Sequence, residues 1–247
     1  MKNSFRSLIE NKNIALVGPA KYMEYESSGA EIDDHDSVIR INRGIEMTRA
    51  FPRNVGEKTD ILYSCLIEKA AHAGKIDYDE LKNSYKVSYI CAPPQSDFRG
   101  ISNATDLHYM VNRKTIKELT KHIPVRIVDH VFHTSLAHRV RCKPNTGFMA
   151  IYDILRFKPR NLSIYGFSFY LDGFMSGCKT GIKLEKNVTE QEFANMAFSS
   201  KRHIQKNMWE YAKGTLLNND FVTLDATLKS ILGMNDFSRD EFASNCL

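Results

Sequence analysis

Asn13-Ile14-Ala15-Leu16-Val17-Gly18 and, far downstream, Leu162-Ser163-Ile164-Tyr165-Gly166 are short apolar runs that each end on glycine. A run without polar alternation suits a strand covered on both faces, the usual condition inside a parallel sheet. Working outward, similar runs stand at 37–41 (SVIRI), 59–64 (TDILYS), 86–91 (KVSYIC), 125–128 and 221–224 (FVTL). Helical spacing lies between them. At 147–157 (GFMAIYDILRF) Phe148, Ile151, Ile154 and Leu155 share one face, and a second long helix is predicted from about 191 to 211. Strands alternating with helices predict an α/β fold, a Rossmann-like domain with a mostly parallel sheet and helices on both faces. Pro93-Pro94 and the polar stretch 95–105 read as a loop. Residues 171–190, rich in Gly and Lys, read as a lid after a strand. With no repeat and no linker, residues 1–247 are expected to form a single domain.

The composition fits that expectation. Of 247 residues 43% are hydrophobic and 26% charged, which excludes disorder, collagen-like repeats and coiled coil. Thirty-four Lys and Arg against 29 Asp and Glu leave a net charge of +5. That mild excess suits an anionic ligand, leaves peripheral attachment to an anionic membrane open, and is too weak to argue for nucleic acid. No stretch approaches the roughly 18 apolar residues of a membrane span, and the first ten residues lack the apolar segment of a signal peptide. The five cysteines, Cys65, Cys91, Cys142, Cys178 and Cys246, are odd in number and unpatterned, so they read as reduced thiols. The sequons at Asn103, Asn161 and Asn187 are read as chance. The expected location is cytoplasmic.

In open parallel sheets ligands sit beyond the carboxyl ends of the strands. This directs attention to Gly18-Pro19-Ala20, Asn42-Arg43-Gly44, Ser64 and Ser168-Phe169-Tyr170, and to the helix opening at Pro144-Asn145-Thr146-Gly147. The amide groups and dipole of that helix N-terminus suit a phosphate or carboxylate. Common signatures are missing: G-x-G-x-x-G, G-x-x-x-x-G-K-[ST], H-E-x-x-H, G-x-S-x-G and a strand-end D-x-D. His130, His133 and His138 cluster on a probable helix without ligand spacing and read as solvated or capping residues. No metal and no other cofactor are expected.

What remains is specific as a set. Ala15-Leu16-Val17-Gly18, Gly29-Ala30-Glu31-Ile32-Asp33-Asp34-His35-Asp36-Ser37-Val38-Ile39-Arg40-Ile41-Asn42-Arg43 and Val55-Gly56-Glu57-Lys58-Thr59-Asp60 resemble the large sialylmotif of the animal-type sialyltransferases. Pro144-Asn145-Thr146-Gly147-Phe148-Met149, continuing to Leu162-Ser163-Ile164-Tyr165-Gly166-Phe167, resembles the small sialylmotif. The C-terminal half is also similar to the small bacterial sialyltransferases, with Phe169-Tyr170 after a strand, a lid, and His203 before the last helix and strand. The resemblance implies a GT-A-like variant of the Rossmann-like fold.

It also implies roles. Gly18, Asn42, Ser64, Asn145, Thr146, Gly147, Gly166, Phe167 and Ser168 would bind the CMP-sugar donor. Tyr170 would donate to the departing phosphate, and His203 would be the base that deprotonates the acceptor. Each residue has a plainer reading. Gly18 can end a strand, Asn42 can form a turn, and Asn145 can cap a helix. Arg40 either touches the donor or pairs with Asp33, Asp34 or Asp36. Glu210 follows His203 two residues further on than the family's H-x-x-x-x-E spacing. Pro19 stands where the family usually has a donor-contacting Asn, and Asn13 and Lys158-Pro159-Arg160 replace the region of its disulfide.

The function implied is an inverting, metal-independent transfer of sialic acid from CMP-sialic acid to a hydroxyl of a glycan acceptor. Arg40, Arg43, Lys179, Lys183, Lys201 and Arg202 are the basic residues expected near the donor. Two other readings remain open: transfer from CMP-Kdo or another CMP-nonulosonate, and a non-catalytic module that binds CMP or glycan.

Overall fold

The computed structural model describes residues 4–66, 77–94, 112–178 and 189–246. Seven strands, β1 (Asn13–Val17), β2 (Ser37–Ile41), β3 (Ile61–Tyr63), β4 (Tyr89–Ala92), β5 (Val125–Ile127), β6 (Asn161–Tyr165) and β7 (Val222–Leu224), form one sheet in the order β5-β4-β3-β2-β1-β6-β7. Every neighbouring pair is parallel. Ile14, Ala15 and Leu16 of the central β1 are fully buried, which is why the opening run carries no polar alternation.

The main helices are α1 (Phe5–Ile9), α2 (Gly29–Asp33), α3 (Met47–Ala50), α4 (Pro52–Val55), α5 (Asn112–Leu119), α6 (His130–Val140), α7 (Thr146–Leu155), α8 (Glu190–Phe198), α9 (Gln205–Leu216), α10 (Ala226–Gly233) and α11 (Arg239–Cys246). From β1 to β5 the chain steps outward in one direction, then returns to place β6 beside β1 on the other side. Right-handed crossovers therefore put the connections before and after that reversal on opposite faces. The order reverses between β1 and β6, so the crevice beyond their carboxyl ends is the expected ligand site.

Much of the first motif block is architecture. Arg40 is fully buried; its Nε donates to Thr59 Oγ1 at 3.0 Å and its Nη2 to the Val55 carbonyl at 2.8 Å. Burial pushes its pKa down to about 10, opposed by the charge of Asp33. The guanidinium is enclosed and holds the segment that leads into β3, and its bonds go to Thr59 and to the Val55 and Lys58 carbonyls, with the aspartates of the structural alternative, Asp33, Asp34 and Asp36, not among them. Asp33 accepts from the amides of Glu57 and Lys58, both at 2.9 Å. Gly56 lies between, at φ +74°, where a Cβ would stand 2.3 Å from Asp33 Oδ1. Asp60 caps the β2 edge through Val38 N at 2.8 Å, and Asp36 holds Asn13 N at 2.8 Å. His35 reaches Ser163 on β6 through Nε2 at 2.9 Å, tying the two halves together.

Below the sheet a buried ion pair locks α7 to the far strands. Asp153 is fully buried, takes both Nη atoms of Arg126 on β5 at 2.5 and 3.0 Å, and accepts from Tyr63 Oη on β3 at 2.8 Å.

One expected element is different. The single helix over 191–211 is two, α8 and α9, broken at 199–204. Serine hydroxyls break it by competing for the backbone. Ser199 Oγ bonds back to Asn195 O at 2.7 Å, and Ser200 Oγ accepts from Arg202 N and His203 N. The loop expected at 95–105 and the lid residues 179–188, with Lys179 and Lys183, lie outside the described residues. Among the described residues no helix is long and apolar enough to cross a membrane.

Candidate active site at the carboxyl edge

Beyond β1 and β6 the backbones nearly touch. A Cβ on Gly18 would meet the Gly166 carbonyl oxygen at 2.3 Å, and a Cβ on Gly166, itself at φ +73°, would meet Gly18 O at 2.2 Å. Glycine is therefore required twice at this crossing. The half-buried ring of Phe167 fills the adjacent space, 3.0 Å from where Gly18 would carry a Cβ and 2.7 Å from the same point on Gly147. Gly18, Gly147, Gly166 and Phe167 thus form one packed unit that sets the opening of α7 against the β1–β6 edge.

The α7 N-terminus is built as its sequence suggests. Asn145 is the N-cap, its Oδ1 accepting from Phe148 N at 2.8 Å, with Thr146 and Gly147 in the first turn. At the ends of β2 and β3, Asn42 sits at φ +47° and its Oδ1 accepts from Cys65 N at 3.0 Å. Ser64 Oγ accepts from Leu66 N at 3.1 Å. Asn42 thus ties the end of β2 to the residue that follows Ser64. Ser168 is different: it is buried and its hydroxyl donates to Asp172, so it shapes the turn instead of facing the crevice. Arg43, another residue expected at the cleft, is bonded to Glu46 through Nε at 2.8 Å and Nη2 at 2.6 Å.

Three residues outside the sequence reading hold the turn after β6. Asp225, directly following β7, accepts from Gly166 N at 2.9 Å, from Tyr22 Oη at 2.7 Å and from Leu228 N at 2.6 Å. Tyr22 Oη in turn accepts from Phe167 N at 3.1 Å, and its own amide donates to Asp172 at 2.7 Å. Tyr22 thus bridges two largely buried carboxylates, both pushed above the usual carboxylate range mainly by burial. Asp225 was visible in principle, as a strand-end Asp three residues before an apolar position, the N-cap pattern of α10. Tyr22 carried no such signal.

Downstream of this network Phe169 and Tyr170 occupy consecutive left-handed conformations, at φ +52° and +62°. Such conformations cost roughly 1–2 kcal/mol per non-glycine residue and persist only where surroundings fix them. Burial, then the neighbouring Cys178 and Cys65, pushes the Tyr170 phenol up to about 12, so it keeps its proton at neutral pH. The segment that begins the expected lid is tied down: Met175 N donates to Pro19 O at 3.0 Å, and Phe174 bridges Ala20.

His203 lies in the break between α8 and α9. Its Nδ1 is 2.7 Å from the carbonyl of Lys143, and Lys143 N donates to Arg202 O at 3.1 Å. A carbonyl only accepts, so Nδ1 carries the proton and Nε2 keeps its lone pair. Lys143 precedes Pro144-Asn145, so the imidazole is docked on the segment that opens α7. Burial pushes His203 down to about 4, helped by the charges of Lys143 and Arg202 and opposed by the Lys143 carbonyl. Glu210 is not brought into the arrangement. It is exposed on α9, and its carboxylate makes no hydrogen bond or ion pair with any described residue.

The histidine cluster on α6 needs a correction. His130 and His138 are exposed, as expected, but His133 is only 2% exposed. Its Nε2 is buried without a hydrogen-bond partner among the described residues. Burial first, then Lys143, His130 and His203, pushes its pKa down to about 4. Among the described residues no group of three or more His, Cys, Asp or Glu is arranged to hold a metal ion.

The model of Glycosyltransferase family 29 (sialyltransferase) matches residues 9–172, from α1 to the turn after β6. No curated protein matches the sequence. Among solved structures, a mammalian sialyltransferase in complex with Gal-beta-1-3GalNAc-ortho-nitrophenol has 21% identity, with 70% of this chain and 59% of that one covered and a TM-score of 0.45. The present chain thus spans about three fifths of that mammalian structure. The sialyltransferase CstII from Campylobacter jejuni, in complex with the substrate analogue CMP-3FNeuAc, has 11% identity, coverage of 88% and 87%, and a TM-score of 0.47. Its complex with a trisaccharide acceptor and CMP gives 12%, 89%, 88% and 0.47. The family model covers well over half of the sequence, and the chain belongs to glycosyltransferase family 29, the sialyltransferases.

Proposed function

We propose that this chain is a single catalytic domain that transfers sialic acid from CMP-sialic acid to a hydroxyl of a glycan acceptor, with inversion and without a metal. The observation that carries the reading is the docking of His203 on the Lys143 carbonyl at 2.7 Å, beside the capped opening of α7.

The donor's anomeric carbon bears a carboxylate, and its leaving group is a nucleoside monophosphate. As the bond to phosphate lengthens, positive charge grows on the ring and negative charge on the phosphate oxygen. The amides of the α7 N-terminus are fixed dipoles of the right sign for that oxygen or for the carboxylate. Tyr170, protonated at neutral pH, is suited to donate to the departing phosphate. Asn42 and Ser64 are suited to the nucleoside end. His203 Nε2 would take the acceptor's proton as the hydroxyl attacks the opposite face of the ring, help typically worth about 10²–10⁴-fold. A pKa near 4 makes His203 a poor base in the protein alone. The phosphate and carboxylate of a bound donor place two negative charges nearby and raise it toward working range.

The test is CMP release with CMP-Neu5Ac or CMP-Kdo, with and without simple galactosides. The reading expects acceptor-dependent release from CMP-Neu5Ac, and His203→Ala should reduce it by about 10²-fold or more while CMP affinity changes little. Wild-type turnover in His203→Ala, or release only from CMP-Kdo, overturns the reading.

A further inference from the structure

Five buried side-chain atoms lack hydrogen-bond partners among the described residues: Arg40 Nη1, Arg43 Nη1, His133 Nε2, Gln205 Oε1 and Arg239 Nε. His133 stands apart from the arginines because a neutral imidazole has a single N–H and a single lone pair, with no further donors to compensate. An unpaired buried polar group costs free energy, and native proteins tolerate it where a ligand or solvent completes the bond.

The position of His133 says which. It lies in the first turn of α6, which follows the edge strand β5, so its link to the β1–β6 crevice runs through the packing of α6. α6 packs against both α7 and α9, and Lys143, whose carbonyl holds His203, lies in the connection between α6 and α7. Asn207 Nδ2 of α9 donates to Val140 O at 3.0 Å, fixing that wedge. The charges that act on His133 are those of the bases Lys143, His130 and His203, while the nearby carboxylate of Asp129 at the α6 N-cap is engaged by Phe132 N at 2.7 Å. Surroundings of that kind complement an oxyanion.

We propose that His133 is a substrate-binding residue whose Nε2–H donates to an oxyanion of the bound donor, its carboxylate or its phosphate. The proposal rests on the donor reading above. No proton is transferred in this contact: His133 stays neutral, with its proton on Nε2 throughout.

The experiment compares wild type with His133→Leu and His133→Gln, measuring by calorimetry the affinity for CMP and for a non-transferable fluorinated CMP-sialic acid. Loss of a hydrogen bond to a charged group predicts weakening by about ten- to a hundredfold in His133→Leu. Weakening of the fluorinated donor alone assigns the carboxylate; equal weakening of both assigns the phosphate. The melting temperature of the ligand-free protein is the second readout, since removing an orphaned imidazole in favour of an apolar side chain should leave it unchanged or raise it. His133→Gln, which keeps an N–H donor, should retain more affinity than His133→Leu; unchanged affinity for both probes in His133→Leu, or equal losses in the two variants, overturns the proposal. If the wild type binds neither probe, the donor reading itself falls, a result distinct from an effect of His133.

Discussion

Replacing Asp225 with alanine tests whether the turn after β6 is held by the carboxylate or merely by strand pairing. The carboxylate accepts from three donors, Gly166 N, Tyr22 Oη and Leu228 N, at 2.6–2.9 Å. Two of them would be left largely buried and unpaired, at about 1–3 kcal/mol each. The third is the N-cap bond of α10, worth about 1 kcal/mol. The expected loss is therefore about 3–7 kcal/mol, a large part of the roughly 5–15 kcal/mol that holds a typical domain together. Trp209, the one tryptophan of the sequence, is a convenient reporter, because its Nε1 donates to Ile231 O of α10 at 2.8 Å. Urea unfolding followed by its fluorescence should show a midpoint lowered by about 1–3 M at an unchanged slope. Tyr22→Phe keeps the ring and removes one bond at each end, so its effect should be smaller, about 1–3 kcal/mol. A double-mutant cycle between the two should show strong coupling. A midpoint shift in Asp225→Ala equivalent to less than about 1 kcal/mol would refute the reasoning, because Gly166 and Phe167 would then owe nothing to Asp225.

Two further outcomes follow from the same geometry. Gly18→Ala places a Cβ 2.3 Å from the Gly166 carbonyl oxygen, so β1 and β6 must part at their ends; the expected cost is about 1–3 kcal/mol or more by urea unfolding, with weaker CMP binding, and a neutral effect would contradict the close approach. Stability should fall as pH drops from about 6.5 to about 4, because His133 and His203 are held below their ordinary value when folded and the unfolded chain takes up more protons. Asp172 and Asp225, raised when folded, act in the opposite sense toward the acid end, so the informative quantity is the difference between wild type and His133→Leu. That difference should approach one proton, about 1.4 kcal/mol per pH unit within the window, and parallel profiles would exclude it.

The sheet was legible because its strands are buried on both faces. A run such as Ile14–Val17 has no solvated side to confuse the pattern. The order of the strands and the reversal between β1 and β6 were not, since parallel register is fixed by contacts remote in sequence, such as Ile14 opposite both Ser37 and Leu162. The break before α9 was missed for a local reason: Ser199 and Ser200 bond to backbone in ways that periodicity does not register. The motif residues divide in a manner the sequence could not reveal. Asp33, Arg40, Gly56 and Asp60 are spent on one another and on backbone, whereas Asn42, Ser64 and the α7 opening lie at the carboxyl edge. Position in the sheet separates the two groups, since Asn42 and Ser64 also accept from backbone amides, those of Cys65 and Leu66. Tyr22 and Asp225 lie apart from the motif blocks and from each other in sequence, yet they meet at 2.7 Å.

The same distinction bears on why one histidine was readable and the other was not. His203 stands among Ser and basic residues, a setting that suggests a solvated loop, and only its place after the lid marked it out. His133 has the sequence surroundings of a helix interior and gave no sign of isolation. In the fold both imidazoles share the wedge between α6, α7 and α9, beside the cation of Lys143, and burial is the leading cause that keeps each of them neutral. Two neutral rings among bases can divide the work: one with its Nδ1 proton fixed on a carbonyl and its other nitrogen free to accept, one with an unpaired nitrogen to offer as a donor. Under the roles proposed for them, an anionic donor would meet both demands at once, supplying the missing partner to His133 and the counter-charge that strengthens His203 as a base.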